Sequence, residues 1–158
     1  MPMPWSKEGK LIAAVKSNNF IKVRELLNKK ANPNVFDMAD RHILSHACAR
    51  GNPEIIKLLL ESGSDPNQAV YEGHTALMSV NKSENVNLLL KHGARVDDKN
   101  KYGWTALIIA AREGDIRIVK ILLKAGADPD IVDNLGRNAI MFAHGRKHHE
   151  IFKLLNHD

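Results

Sequence analysis

Two pairs of histidines have the spacing of metal ligands. His42 and His46 are four positions apart, as are His144 and His148, and this spacing places both imidazoles of a pair on one face of a helix. A protein zinc site needs a third ligand and usually a fourth, and no cluster of Cys, Asp or Glu accompanies either pair in the sequence. We therefore predict no metal site and no cofactor.

The chain has one cysteine, Cys48, and no recognised catalytic motif. His46 lies two positions from Cys48, so the two side chains point to different sides of a helix and do not form a nucleophile–base pair. The sequence also contains no phosphate-binding glycine loop, no serine nucleophile elbow and no convergent pair of carboxylates. It therefore predicts a protein without catalytic residues, which is not an enzyme.

The composition is that of one globular domain. The 158 residues are 44% hydrophobic and 26% charged, with a net charge of +5 that gives a mild attraction to acidic surfaces. No apolar run approaches the roughly 20 residues that span a bilayer, and the N-terminus has no apolar signal-peptide core. Together with the single cysteine, these features predict a cytoplasmic protein with no membrane partner. A nuclear location and delivery into a host cell stay open.

The elements that carry these residues repeat along the chain. Short amphipathic segments are each followed by a turn of similar composition, and one turn position recurs after 33, 30 and 33 residues, at Ala31, Ser64, Ala94 and Ala127. A second marker keeps the same register at intervals of 30 and 33 residues, at Gly73, Gly103 and Gly136. A period near 33 that holds a turn and two helices indicates a helical repeat protein.

The stretch from Tyr102 to Asp130 resembles one repeat of the ankyrin family. It agrees with the family pattern at Gly103, Thr105, Leu107, Ala110, Ala111, Gly114, Val119, Leu122, Leu123, Gly126, Ala127 and Asp128. The resemblance extends over about residues 7–155. It implies a single domain over residues 1–158, an all-α ankyrin solenoid of stacked helix–turn–helix units joined by β-hairpin-like loops. Five repeats are expected at about 5–37, 38–70, 71–100, 101–133 and 134–158, with the first and last acting as caps.

The helix ends follow from the same repeat pattern. Gly51 and Gly114 are expected to end the first helix of their repeats in a left-handed conformation, and Asn18 takes that place in the first repeat. Thr75 and Thr105 are expected to cap the first helices of the third and fourth repeats with their hydroxyls.

The chain departs from the family pattern in two ways. The family's Thr-Pro-Leu-His tetrapeptide has lost both its proline and its histidine at 42–45, 75–78, 105–108 and 138–141, so we expect modest stability. The third repeat is also three residues short. Three residues are close to one helical turn, so we expect the helices to keep their faces and the deletion to fall around 81–84. It is either a notch that serves as a specificity pocket beside His74 and Tyr102 or a tolerated deletion.

Both ends of the chain are expected to cover the repeat core. Trp5 is expected to lie as a lid over the first repeat. At the other end, the inward stripe of a capping helix is expected at Ile151, Phe152, Leu154 and Leu155. Cys48 stands where the family has a small alanine, so we expect it to be a buried packing residue.

The resemblance implies a partner protein bound on the concave face, at residues that flank the hairpin glycines and end the first helices. Such positions here are Met38, Arg41, Arg50, Tyr71, Glu72, His74, Lys101, Tyr102, Trp104, Arg112, Glu113, Asn134, Leu135, Arg137 and Arg146. Trp, Tyr and Arg are the residue types enriched at binding hot spots. Trp104 in particular is expected to point outward at its hairpin. The sequence thus favours an adaptor, scaffold or inhibitor that is monomeric on its own.

Two alternatives remain at this point. Lys101, Arg112, Arg137 and Arg146 beside Trp104 also fit a phosphorylated or nucleotide ligand, which would be held by stacking and phosphate contacts. A steep loss of binding with salt would favour that ligand. The chain could also be a subunit of a larger assembly with no separate activity.

Overall fold

The protein is helical, and its computed structural model describes residues 3–156, apart from the side chain of Tyr71. Its α-helices are α1 (Lys7–Lys16), α2 (Phe20–Asn28), α3 (Ile43–Arg50), α4 (Pro53–Glu61), α5 (Ser83–Lys91), α6 (Ala106–Glu113), α7 (Ile116–Lys124), α8 (Ala139–Gly145) and α9 (His149–Leu155). Two short 3-10 helices lie at Tyr71–Gly73 and Ala76–Ser79. Over the described residues, β structure is limited to one isolated antiparallel bridge between Phe36 and His42. The predicted all-α repeat fold is therefore confirmed.

The chain divides into two compact units, which we call unit one and unit two. Unit one comprises Met1–Tyr71 and Thr75–Ala94, and unit two comprises Glu72–His74 and Arg95–Asp158. The five repeat boundaries stay predictions. Among the described helices, none is both long enough and apolar enough to cross a bilayer.

Helix pairs pack in layers within each unit. In unit one, α1 packs on α2 and α3, while α4 packs on α2, α3 and α5. In unit two, α6 packs on α7 and α8, and α9 packs on α7 and α8. The core side chains are mostly aliphatic; the fully buried large ones are Leu11, Ile43, Leu44, Ile55, Ile56, Leu59, Leu89, Leu107, Ile108, Leu122, Ile151 and Leu155. Each contributes about 1.5–3 kcal/mol relative to an exposed side chain.

The predicted helix ends are confirmed at the backbone. Gly51 and Gly114 end α3 and α6 with φ of 70° and 83°. Asn18 follows α1 with φ of 56°, so each takes the left-handed conformation that the turn between paired helices requires. The threonine caps differ from each other. The hydroxyl of Thr105 accepts from the N–H of Ile108 at 3.3 Å, whereas Thr75 makes no side-chain cap bond.

The short third repeat has lost most of its first helix. Only the 3-10 turn Ala76–Ser79 remains, and its first three side chains are buried as expected. Val80 and Lys82 are extended, and α5 begins without a side-chain cap bond. Asn81 lies over the preceding repeat, where its Nδ2 donates to the carbonyl of Ala49 at 2.9 Å. The deletion therefore falls where the sequence placed it.

The two ends of the chain behave differently. Trp5 is 69% exposed, so the prediction that it covers the first repeat as a lid is wrong. Instead the carbonyl of Met3 folds back to accept from the N–H of Ser6 at 2.9 Å. This turn closes before Trp5 can reach the helices. At the other end, Ile151 and Leu155 are buried as predicted.

Candidate functional site

Three hairpin tips in unit two are joined by hydrogen bonds. The N–H of Lys101 donates to the carbonyl of Glu72 at 2.8 Å, and the N–H of Asn134 donates to the carbonyl of Tyr102 at 3.0 Å. The side-chain amide of Asn134 adds a bond to the carbonyl of Lys101 at 2.8 Å. We call the row of residues formed in this way the tip surface: Glu72, Lys101, Tyr102, Trp104, Asn134 and Leu135.

A buried side chain at the base of each long hairpin fixes its shape. The Oδ1 of Asn100 accepts from the N–H groups of Tyr102 and Trp104 at 2.9 and 3.0 Å. The Oδ1 of Asp133 accepts from the N–H groups of Leu135 and Arg137, both at 2.9 Å. The tips are therefore pre-formed by hydrogen bonds.

Asp133 also gathers side chains from two repeats. Its Oδ2 accepts from the Arg137 guanidinium at 2.7 Å and from the indole N–H of Trp104 at 3.1 Å. Burial opposes ionisation of Asp133, but the bonds from Arg137, from the N–H of Leu135 and from Trp104 outweigh it. The pKa of Asp133 therefore lies well below its usual value, and the carboxylate is charged at neutral pH.

Trp104 is anchored within unit two and only half-buried. Its ring meets the edge of Phe142 at 5.7 Å between centroids and lies 5.9 Å from the ring of Tyr102. The guanidinium of Arg112 sits 5.0 Å above it, a cation–π distance. The sequence predicted a Trp104 that points outward. The bond to Asp133 instead turns the indole N–H inward, so that only part of the ring faces solvent.

Tyr102 joins its own tip to the preceding one. Its hydroxyl donates to the Oε1 of Glu72 at 3.0 Å, and Lys101 forms an ion pair with the same carboxylate. The Nζ of Lys101 lies 4.9 Å above the Tyr102 ring. The ion pair lowers the pKa of Glu72 and raises that of Lys101. The ring of Tyr102 nevertheless stays 43% exposed.

Leu135 is the most exposed large apolar side chain of unit two, with 75% of its surface in contact with solvent. Its backbone is held by Asp133. Around it, the cations at predicted sites are paired: Arg112 with Glu113 at 2.8 Å, and Arg137 with Asp133. Unit two therefore presents an apolar tip amid locally balanced charges.

The remaining predicted residues are distributed over both units. In unit two, Arg146 is exposed and His74 is half-buried, with its Nδ1 3.5 Å from the amide of Asn100. Met38, Arg41 and Arg50 belong to unit one and are exposed. The side chain of Tyr71 lies outside the described residues.

The sequence analysis missed Asn100, Asp133 and Phe142. A signal existed for the first two, because Asn100 and Asp133 are one period of 33 residues apart and each stands three positions before a hairpin glycine. No comparable signal marks Phe142, because its contact with Trp104 depends on packing between repeats.

The histidine pairs have other roles than metal binding. His46 Nε2 lies 2.8 Å from Asp37, and His148 Nε2 lies 3.1 Å from the carbonyl of Arg112. In the part of the chain that the structure describes, no three His, Cys, Asp or Glu side chains are grouped to hold a metal ion. Cys48 is buried as predicted, and burial raises the pKa of its thiol, so it is a poor nucleophile.

A family model described as ankyrin repeats (3 copies) matches residues 7–70, 44–133 and 73–158. These matches cover both units and most of the described residues. They agree with the helical repeats and with the turn register of the sequence.

Similar proteins carry comparable repeats. An ankyrin repeat protein, nuc-2, of Neurospora crassa is 34% identical over 92% of this chain, which spans 14% of that protein. Cyclin-dependent kinase 4 inhibitor B of Rattus norvegicus is 34% identical over 72% of this chain and 89% of its own length. Potassium channel AKT2/3 of Arabidopsis thaliana is 28% identical over 97% of this chain, which spans 19% of the channel.

Proposed function

Because this chain belongs to the ankyrin-repeat family, we propose that it is a non-enzymatic module that binds a partner protein through the tip surface of unit two. The observation that carries the proposal is the row of tips joined by main-chain bonds, which presents Tyr102 and Leu135 to solvent. A pre-formed row loses little conformational entropy when a partner binds.

The exposed groups of the tip surface suit contact with a protein. The Tyr102 ring combines a large apolar area with a polar tip and few rotatable bonds. Leu135 gives an apolar anchor that a partner could cover. Glu113, Asn134 and Arg146 are exposed on unit two and supply the polar groups that commonly rim such an interface.

The relatives suggest how such binding would be used. The rat relative is named as an inhibitor of a kinase, and this chain covers most of its length. An inhibitor that occupies its partner's surface is therefore one form of the proposed function, and an adaptor or scaffold is another. We further propose that the chain acts as a cytoplasmic monomer when no partner is bound.

The nucleotide alternative has weaker support. Lys101, Arg112 and Arg137 each have a carboxylate partner within unit two, so a phosphate would have to compete with Glu72, Glu113 or Asp133. Arg112 also already stacks on Trp104, where a base would have to lie.

Site-specific cross-linking tests the proposed surface. A photoreactive benzoylphenylalanine is placed at Leu135 or, as a control, at Ile21 of α2, which is 70% exposed in unit one. The full chain is then irradiated in cell extract. We expect discrete protein adducts from position 135, lost when Tyr102→Ala is added, and none of the same mass from position 21.

The opposite results are equally clear. Identical adducts from both positions, or adducts from position 135 that persist in the Tyr102→Ala chain, would exclude the tip surface as the binding site. Strong retention of a fluorescent oligonucleotide that disappears between 50 mM and 200 mM salt would instead support the nucleotide reading.

A further inference from the structure

A cavity of about 490 Å³ lies in unit one between the N-terminal turn, α1 and the hairpin that precedes α3. Its apolar lining consists of Met3, Pro4, Ile12, Ala13, Phe36 and Met38. The volume falls in the range of about 300–1,000 Å³ that is typical of ligand pockets. We call this space the N-terminal cavity.

One wall of the N-terminal cavity is a stripe of α1. Gly9, Ile12, Ala13 and Lys16 line it, at spacings of three and four residues that place them on one helix face. A Cβ added at Gly9 would lie 2.1 Å from the carbonyl oxygen of Met3. Glycine is therefore required for the N-terminal turn to approach α1 closely enough to form the wall.

The opposite wall is a hairpin fixed by a buried carboxylate. Phe36 pairs with His42 in the antiparallel bridge, and the Oδ1 of Asp37 accepts from the N–H groups of Ala39 and Arg41 at 2.9 and 3.0 Å. Between them, these bonds hold the hairpin in place and project Met38 into solvent, where it is 87% exposed. An exposed methionine at the rim of an apolar cavity marks a surface suited to a partner's apolar group.

The edge of the cavity carries an excess of positive charge. The Oδ2 of Asp37 lies 3.3 Å from the ammonium of Lys16, 3.2 Å from the guanidinium of Arg41 and 2.8 Å from Nε2 of His46. One carboxylate thus faces two permanent cations. Lys16 and Arg41 are about half exposed, and each has further N–H donors, since lysine has three and arginine five.

We propose that the N-terminal cavity binds an acidic segment of a partner protein. One large apolar side chain enters between Ile12, Phe36 and Met38, and a neighbouring carboxylate binds the free donors of Lys16 and Arg41. The apolar lining selects for the side chain, and the charge excess selects for an acidic neighbour. This site uses unit one alone, so it is independent of the tip surface and of the function proposed for it.

A selection from a random library of displayed 12-residue peptides tests the proposal on the full chain. Peptides that bind the Met38→Asp variant are removed first, and those that bind the wild type are recovered. We expect recovered peptides to carry Phe, Trp, Leu or Met within two positions of Asp or Glu. Met38→Asp should leave the fold intact because the side chain that it replaces is almost fully exposed.

Synthetic versions of recovered peptides then give dissociation constants by fluorescence anisotropy. We expect Met38→Asp to weaken binding at least tenfold and Met38→Leu to keep it within threefold. The matched control Ile21→Asp, also exposed in unit one, and Leu135→Asp in unit two should have no effect. Replacing the peptide carboxylates by amides should weaken binding at least fivefold.

Several results would overturn the proposal. They are recovery of no peptide that prefers the wild type, recovery of peptides without acidic residues, or equal binding to the Met38→Asp variant. A wild-type dimer in sedimentation experiments that Met38→Asp dissolves would assign the cavity to a second copy of this chain. The cross-linking experiment at Leu135 is unaffected by any of these outcomes, so the two sites succeed or fail separately.

Discussion

At the scale of single residues, Asp133 is the polar residue on which the geometry of unit two depends most. Its two carboxylate oxygens accept from two backbone N–H groups, from Arg137 and from Trp104. Removing a buried acceptor leaves its donors without partners, which costs more than the bonds themselves contribute.

We therefore predict that Asp133→Ala lowers the free energy of unfolding by about 3 kcal/mol. Urea unfolding followed by circular dichroism measures the change. Asp130→Ala is the control, because Asp130 is exposed in the same turn region, and it should change stability by less than about 0.5 kcal/mol. Equal effects of the two substitutions would show that Asp133 does not organise the hairpin.

His42 is a second residue with a distinct energetic effect. It is fully buried, and neither ring nitrogen has a hydrogen-bond partner among the described residues. Burial lowers the pKa of His42 to about 4, although the charge of Asp65 opposes the shift. In the unfolded chain its pKa is about 6.5. Because the folded state binds this proton less well, stability is complete above pH 6.5 and declines as the pH falls towards 4.

We predict that the wild type loses about 2–3 kcal/mol between pH 7 and pH 4.5 through His42. His42→Thr should remove most of that loss, since Thr stands at the equivalent positions 75 and 105. Unfolding free energies at the two pH values give the comparison. His149→Thr, at an exposed position, should keep the wild-type profile. If His42→Thr keeps it as well, another group is responsible.

At the scale of elements, the turns between paired helices differ in what surrounds their glycines. Gly114 and Gly126 both have left-handed φ angles, of 83° and 88°. A Cβ on Gly114 would lie 2.6 Å from the ring of His148, whereas a Cβ on Gly126 would meet nothing within 4 Å. The His148 ring is held by its bond to the carbonyl of Arg112.

Gly114→Ala should therefore destabilise unit two more than Gly126→Ala. Both substitutions incur the strain of a left-handed alanine, about 1 kcal/mol, and only the first also displaces an aromatic ring. We expect an additional loss of about 1–2 kcal/mol for Gly114→Ala, measured as the difference between the two urea midpoints at equal slope. Matching midpoints would mean that His148 moves aside freely.

The elements that sequence reasoning predicted well are those determined by local chemistry. Gly51, Gly114 and Asn18 end helices because few residues adopt positive φ easily, and that requirement is visible in one repeat at a time. The indole bond of Trp104 to Asp133 spans 29 residues, so it depends on how repeats pack. The exposure of Trp5 follows from the turn at Met3, which the sequence analysis did not consider.

At the scale of the whole molecule, stability in a repeat protein is approximately a sum of repeat and neighbour terms. The chain offers one natural reporter for each unit. Cys48 is buried in unit one, and Trp104 is half-buried in unit two. Labelling of the thiol thus follows opening of the first unit, while indole emission follows the environment of the second.

We predict that Gly114→Ala lowers the urea midpoint of the emission transition while the rate of Cys48 labelling in native buffer changes less than about twofold. Trp5 contributes a nearly constant signal because it is already exposed. A proportional acceleration of labelling would show that the chain opens as one cooperative block.

The main-chain bonds between the hairpin tips have a consequence for how this protein could change its partner. The bonds from Lys101 to Glu72 and from Asn134 to Tyr102 use backbone atoms, so the side chain of Leu135 contributes nothing to holding the row together. Substitution at that position alters what the surface offers while the scaffold stays intact. Binding specificity at this tip can therefore diverge, by natural variation or by engineering, without first passing through an unstable intermediate sequence.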